Sequence, residues 1–189
     1  MKDLSTMELI CSFDGFVFEG CGVRLNPQQL EAAAAILKST CRGEGLSFSL
    51  SLPHADLQVL QNHLLAYLLR MYNHSENTLL AIHPSPVWHV KAMDQLVECL
   101  WGNIFTRNRW GRQGDDFTIG SCRARFCHIG ETDLPEFPAP ILLVLVNQLE
   151  DIPGKLIDAR LSHQAVHGNS TRAVCGVERL SVIVDKNLA

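Results

Sequence analysis

Residues 46–100, LSFSLSLPHADLQVLQNHLLAYLLRMYNHSENTLLAIHPSPVWHVKAMDQLVECL, constrain the fold most, because they read as strand, tight loop, helix, strand, tight loop, helix. Leu46 to Leu50 alternates apolar residues with serine, and Pro53-His54-Ala55-Asp56 interrupts the run. Leu57, Leu60, Leu64, Leu65, Leu68 and Leu69 then recur at helical spacing. Strands alternating with helices of this length make the front half of an α/β domain of the nucleotide-binding kind. The first loop therefore stands where a phosphate-binding loop would stand, between a strand end and a helix N-terminus whose free N–H groups favour anions. Its residues do not suit that task. Glycines are needed for the backbone to wrap phosphates and a lysine to neutralise them, but no glycine occurs between Gly45 and Gly102, and Asp56 occupies the candidate lysine position. A carboxylate there repels a triphosphate by about what a lysine would contribute, on the order of several kcal/mol in a partly buried site.

A chain of 189 residues that is 47% hydrophobic is long enough for a sizeable core and short enough to predict one domain over residues 1–189. Its net charge of −4 shows no basic excess, although a local patch can still bind nucleic acid. Seven cysteines, an odd number, with no signal peptide pattern at Met1-Lys2-Asp3, predict free thiols in a reducing compartment. The longest apolar run, Ala139 to Val146, is strand-length and not a membrane span. The sequence therefore predicts a cytoplasmic protein with no membrane partner.

The flanking segments extend this reading. Residues 1–24 form an irregular or short-strand opening, since MELICSFDGFVFEGCGVR mixes aromatics with glycine and aspartate. Asn26 as N-cap and Pro27 at the first helical position open a helix through the alanine run to Ser39, with Gly43 as its C-cap. In WGNIFTRNRWGRQG, Arg107, Arg109 and Arg112 alternate with Trp101, Phe105 and Trp110. That composition suits a phosphate backbone with stacked bases, so Arg107, Arg109, Trp110 and Arg112 are candidate nucleic-acid contacts; a solvated loop with tryptophan packed on the core is the plainer reading. Trp88 and Trp101 are expected to anchor the second core helix.

Residues 116–130 predict a β-hairpin turning at Gly120-Ser121. Cys122, Cys127 and His128 lie there, but their spacing matches no zinc knuckle, and no metal is expected. A proline-rich acidic linker, 131–140, leads into Ile141–Val146, whose unbroken aliphatic character fits a central parallel strand. Asn147 and Gln148 follow at its carboxyl end, where α/β sheets place their chemistry. A helix over 155–164 and short strands over 173–176 and 181–184 complete the series.

From about Leu25 to Cys175 the order of these pieces resembles the N-terminal ATPase domain of phage terminase large subunits, the DNA-packaging motors, within the P-loop NTPase class. The resemblance rests on the frame Leu52-Pro53-His54-Ala55-Asp56-Leu57-Gln58 with its following Ala/Leu helix. It rests also on Asn147-Gln148-Leu149-Glu150-Asp151-Ile152 where the family's Walker B strand ends in Asp-Glu, and on Asn169-Ser170-Thr171 with Gly176 in the coupling region. It implies a three-layer P-loop NTPase-like (RecA/terminase-like) α/β fold, with a mainly parallel central sheet flanked by helices and the hairpin at 116–130 added.

On that alignment Pro53, His54, Ala55, Asp56, Leu57, Asn147 and Gln148 form a vestigial nucleotide site. Ala55 and Asp56 match the family's Gly and Lys, Asn147 its Mg²⁺-associated Asp, and Gln148 the carboxylate that activates water. Asn and Gln keep shape without charge, so they neither hold a metal ion well nor accept a proton. The resemblance implies a pseudoenzyme with no catalytic residues, with ATP and Mg²⁺ binding absent or weak. It acts by binding a motor or packaging subunit, or DNA, in a bacterial or phage-infected cell. No nuclease domain is expected, the sequence ending at residue 189. Two alternatives stay open. One is a structural or regulatory component with no nucleotide role. The other is an enzyme with an unrecognised site, for which His54 with Asp56 or Cys127 with His128 are the pairs available.

Overall fold

The computed structural model describes residues 5–42, 46–50, 54–76, 78–83, 86–128, 141–146 and 179–185. Its elements in chain order are α1 (Thr6–Cys21), α2 (Pro27–Arg42), β1 (Leu46–Leu50), α3 (His54–Met71), β2 (Thr78–His83) and α4 (Pro86–Gly102). Then come β3 (Trp110–Gln113), β4 (Asp116–Ile119), β5 (Cys122–His128), β6 (Ile141–Val146) and β7 (Arg179–Asp185). This is an α/β fold. The strands form one sheet in the order β1-β7-β6-β2-β5-β4-β3. Pairing is parallel from β1 through β5 and antiparallel at β5-β4 and β4-β3.

The opening segment corrects the sequence expectation of short strands: it is a sixteen-residue helix. Ser5 caps it, accepting from Glu8 N while its own N–H donates to Glu8 Oε2 at 2.7 Å, which is a reciprocal capping box. Leu9, Phe13, Phe16 and Val17 then fall on one buried stripe at helical spacing. Aromatic residues favour strands only weakly, and burial of this stripe outweighs that preference. Gly22, at φ 75°, closes the helix in a left-handed C-cap, its N–H donating to Phe18 O.

At α2 the expected start is observed. Asn26 Oδ1 accepts from Gln29 N and Gln29 Oε1 accepts from Asn26 N, both at 2.9 Å. The helix continues to Arg42, and Gly43 lies outside the described residues. α3 is the central helix: every residue from Leu60 to Leu69 is buried. Leu60, Leu64, Leu65, Leu68 and Leu69 pack in one cluster with Phe13 and Phe16 of α1, Ile36 and Leu37 of α2, and Met93 and Leu96 of α4. The sheet joins this core through Leu79, Ala81, Phe117, Ile119, Ala124 and Phe126. Burying one leucine side chain contributes about 1.5–3 kcal/mol, so the buried leucines of α3 make it a large part of the apolar core shared by the helices and the sheet.

The hairpin turns at Gly120-Ser121 as expected, with Gly120 at φ 60°. A side chain on Gly120 would meet Asn73 O at 2.2 Å, and Ser121 N donates to that same oxygen, so the turn docks on the end of α3. The hairpin also carries a third strand, β3, within the stretch read as a loop. WGRQ has little strand propensity, and its pairing with β4, Trp110 opposite Ile119 and Arg112 opposite Phe117, is a tertiary outcome. The expected linker 131–140, helix 155–164 and strand 173–176 lie outside the described residues.

Candidate functional site at the carboxyl edge of the sheet

Strand register decides which loops meet. Leu50, the last residue of β1, pairs with Asp185, and Val146, the last of β6, pairs with Val184. The carboxyl ends of β1, β7 and β6 therefore lie level on one edge of the sheet. The chain leaves β1 and β6 there, with β7 between them, a separation of about 10 Å at two strand spacings. β2 and β5 end on the same edge, His83 opposite His128.

His54, Ala55, Asp56 and Leu57 form the first turn of α3 rather than a loop, which corrects the expected break at Pro53–Asp56. Proline is well suited to the start of a helix, with its fixed φ and missing N–H, so a proline in the sequence just before His54 is compatible with a helix beginning there. Only residues 51–53 connect β1 to α3. Asp56 is the third residue of α3, and an acidic residue early in a helix is favourable to the helix dipole and unfavourable to a phosphate. Pro53, Asn147 and Gln148 lie outside the described residues.

The basic and aromatic segment is built differently. Asn103, fully buried, pins the connection after α4: its Nδ2 donates to Phe16 O at 3.0 Å and its Oδ1 accepts from Phe105 N at 2.9 Å. Thr106 Oγ1 donates to Leu100 O at 2.8 Å. Arg107 Nε is tied to Trp101 O at 3.1 Å. Arg112 lies 5.2 Å from the Phe117 ring centre and donates from Nε to Gly114 O, so packing and the turn both occupy it. Arg107, Arg109 and Arg112 are all exposed, and Trp110 is half-buried, edge-on to Trp101. Trp101 is 54% exposed and so does not anchor α4 in the core as expected; Leu96 and Leu100 do that. The side chain of Trp88 is outside the description.

Two arrangements were not visible in the sequence. Asp116 holds Arg125 in a two-pronged pair, 2.6 Å to Nε and 3.0 Å to Nη2, because β4 and β5 set the two opposite each other, and Arg123, two residues before Arg125 on β5, reaches to 3.7 Å. Cys99 Sγ lies 3.2 Å from His63 Nδ1, beside a cavity of about 350 Å³ between α3 and α4. Burial pushes the Cys99 thiol up to about 12 and the His63 imidazole down to about 4. The proton therefore stays on sulfur, and the pair is a neutral S–H···N hydrogen bond rather than an activated nucleophile. Cys127, the other nucleophile considered, is fully buried. Among the described residues no group of three His, Cys, Asp or Glu side chains is placed to hold a metal ion, and no helix is long and apolar enough to cross a membrane.

Fold and edge geometry together define an α/β domain whose parallel strands end level at the carboxyl edge of the sheet. The crystal structure of the HK97 bacteriophage large terminase shares this fold, with a TM-score of 0.61 at 14% sequence identity. The alignment covers 93% of this chain and 37% of the terminase. At that identity the likeness is one of fold, and the chain spans little more than a third of the terminase's length. No family model matches the sequence, and no curated protein matches it.

Proposed function

We propose that this chain is a terminase-like P-loop NTPase-class domain, three-layered, that acts by binding rather than by hydrolysis, in a phage DNA-packaging or DNA-processing setting. The observation that carries the reading is the position of Asp56. It lies in the first turn of α3, the helix after β1, whose end is level with that of β6, and there a nucleotide-binding domain of this fold requires a cation and free amide groups. The three-residue connection 51–53 supports it, being too short to wrap a triphosphate in the manner of a glycine-rich phosphate loop. Asn147 and Gln148 support it further, since neither side chain carries the charge that the metal ion and the attacking water need. The residues present thus do not fit ATP with Mg²⁺. The partners are a packaging or motor subunit, or DNA, with Arg107, Arg109, Trp110 and Arg112 as the nucleic-acid contacts.

The test is a thermal-shift titration with ATP and Mg²⁺, run beside copurification with a motor subunit and DNA retention on filters. The expected result is no shift with nucleotide together with retention of subunit or DNA. A rise of several degrees at millimolar nucleotide would mean real occupancy and overturn the reading of Asp56.

A further inference from the structure

Trp101, at the end of α4, is 54% exposed, and Ile104, three residues on, is 58% exposed. Apolar surface left in water forgoes the stabilisation of burial, so an indole held in solvent calls for a reason. Among the described residues its ring neighbour is Trp110, with centroids 5.8 Å apart and planes at 87°. An edge-to-face neighbour covers at most one face of the Trp101 ring, and with more than half of the residue exposed the other face is open to solvent. Trp110 is itself backed by the buried Phe117 at 6.2 Å, so the indole is propped from the core.

The chain around that open face carries one sign of charge. From Trp101 to Gln113 it holds three arginines and no carboxylate. Arg107 Nε donates to Trp101 O at 3.1 Å, which leaves the two terminal nitrogens of its guanidinium unused among the described residues. Arg109 is exposed, and its guanidinium pairs with nothing among the described residues. Because Trp110 packs on Trp101, Arg109, its neighbour in the chain, is brought back towards the same ring. The turn between the two arginines is fixed: Arg107 N donates to Asn103 O and Arg109 N to Thr106 O, and Asn103 and Thr106 are fully buried. The carboxylates nearest in sequence are placed elsewhere. Glu98 lines the cavity between α3 and α4, Asp115 lies 3.5 Å from His89, and Asp116 holds Arg125.

We propose that this surface takes single-stranded DNA, with one unpaired base stacked on the open face of Trp101 and the flanking phosphates on Arg107 and Arg109. The inference rests on the reading of this segment as a nucleic-acid surface and names the form of DNA it binds. An aromatic face attracts any base, and arginines neutralise phosphates. In a duplex the base faces are already stacked on one another, so the exposed indole selects an unpaired strand. Trp101, which the sequence reading placed in the core, is then the residue that tells strand from duplex.

The test is fluorescence anisotropy of the full chain with labelled oligothymidylate and with a blunt duplex of equal length. The strand should bind more tightly by roughly five- to a hundredfold, the range of one base stacked on an aromatic ring. Trp101→Ala should remove that margin, Trp101→Phe should keep most of it, and both should leave the salt slope unchanged because no charge is lost. Arg107→Ala with Arg109→Ala should lower the slope instead. A second readout needs no variant and decides the matter if Trp101→Ala does not fold. An iodouracil-substituted strand, irradiated on the unaltered chain, should crosslink to the tryptic peptide 92–107, which holds Trp101 apart from Trp110. Equal affinity for strand and duplex, or crosslinking away from that peptide, overturns the proposal while an arginine-dependent salt slope leaves the nucleic-acid surface standing. Binding of neither form overturns both. Copurification of a motor subunit that Trp101→Ala abolishes, with no strand bound, assigns the surface to protein and likewise overturns the proposal.

Discussion

Gly20→Ala should reverse its sign of effect when Asn103 is removed. In the native chain an alanine methyl at position 20 would lie 2.3 Å from Asn103 Nδ2 and 2.6 Å from both Cγ and Oδ1. The Asn103 side chain must leave, and with it go the bonds to Phe16 O and from Phe105 N. Each bond is worth about 1 kcal/mol net, and an unpaired buried N–H costs about 1–3 kcal/mol. Asn103→Ala should therefore destabilise by about 2–4 kcal/mol. Gly20→Ala alone should cost somewhat less, because alanine recovers up to about 1 kcal/mol of helix propensity. In the double variant the obstruction is already gone, the methyl part-fills the space, and Gly20→Ala should stabilise by about 0.5–1 kcal/mol. The coupling between the two sites is then about 2–4 kcal/mol, far outside the additivity expected of independent positions. Urea unfolding of the four proteins measures it, with an unchanged slope required for the comparison. Additive losses would show that the contact of α1 with the segment after α4 is not what holds Phe105 and the arginines beyond it in place.

Three further outcomes are expected. His63 has its folded-state pKa lowered to about 4 from 6.5, so the unfolded chain binds the proton more readily. Its stabilising contribution is complete above pH 6.5 and is lost as pH falls towards 4, on the order of 3 kcal/mol, and His63→Gln should flatten that part of a stability-versus-pH curve. Asp116→Asn should cost about 0.5–1.5 kcal/mol, less at high salt, because Arg125 and Arg123 are partly solvated; loss of the fold would mean the pair does more than bridge β4 to β5. Arg107→Ala with Arg109→Ala should leave stability within about 0.5 kcal/mol. The same double variant should lower the salt slope of DNA retention by about two, and an unchanged slope would remove these residues from the nucleic-acid surface.

What the sequence determined by itself is whatever is settled within a few residues of chain. Asn26-Pro27 and Gln29 start α2 because their bonds are local, the leucine period defines α3, and Gly120 turns the hairpin because it tolerates a positive φ. The same kind of signal was present at Ser5 and Glu8, and the aromatic residues that follow masked it. Local chemistry could not say where β7, from the far end of the chain, would pair. Its apolar run is interchangeable with those of β2 and β6 until hydrogen bonding and burial across the whole sheet are counted. Only that tertiary choice, β7 between β1 and β6, brings the end of β1, the strand before α3, level with the end of β6. Tertiary packing likewise decided that Trp101 faces solvent and that Asn103 reaches Phe16, since each depends on segments distant in sequence meeting in space.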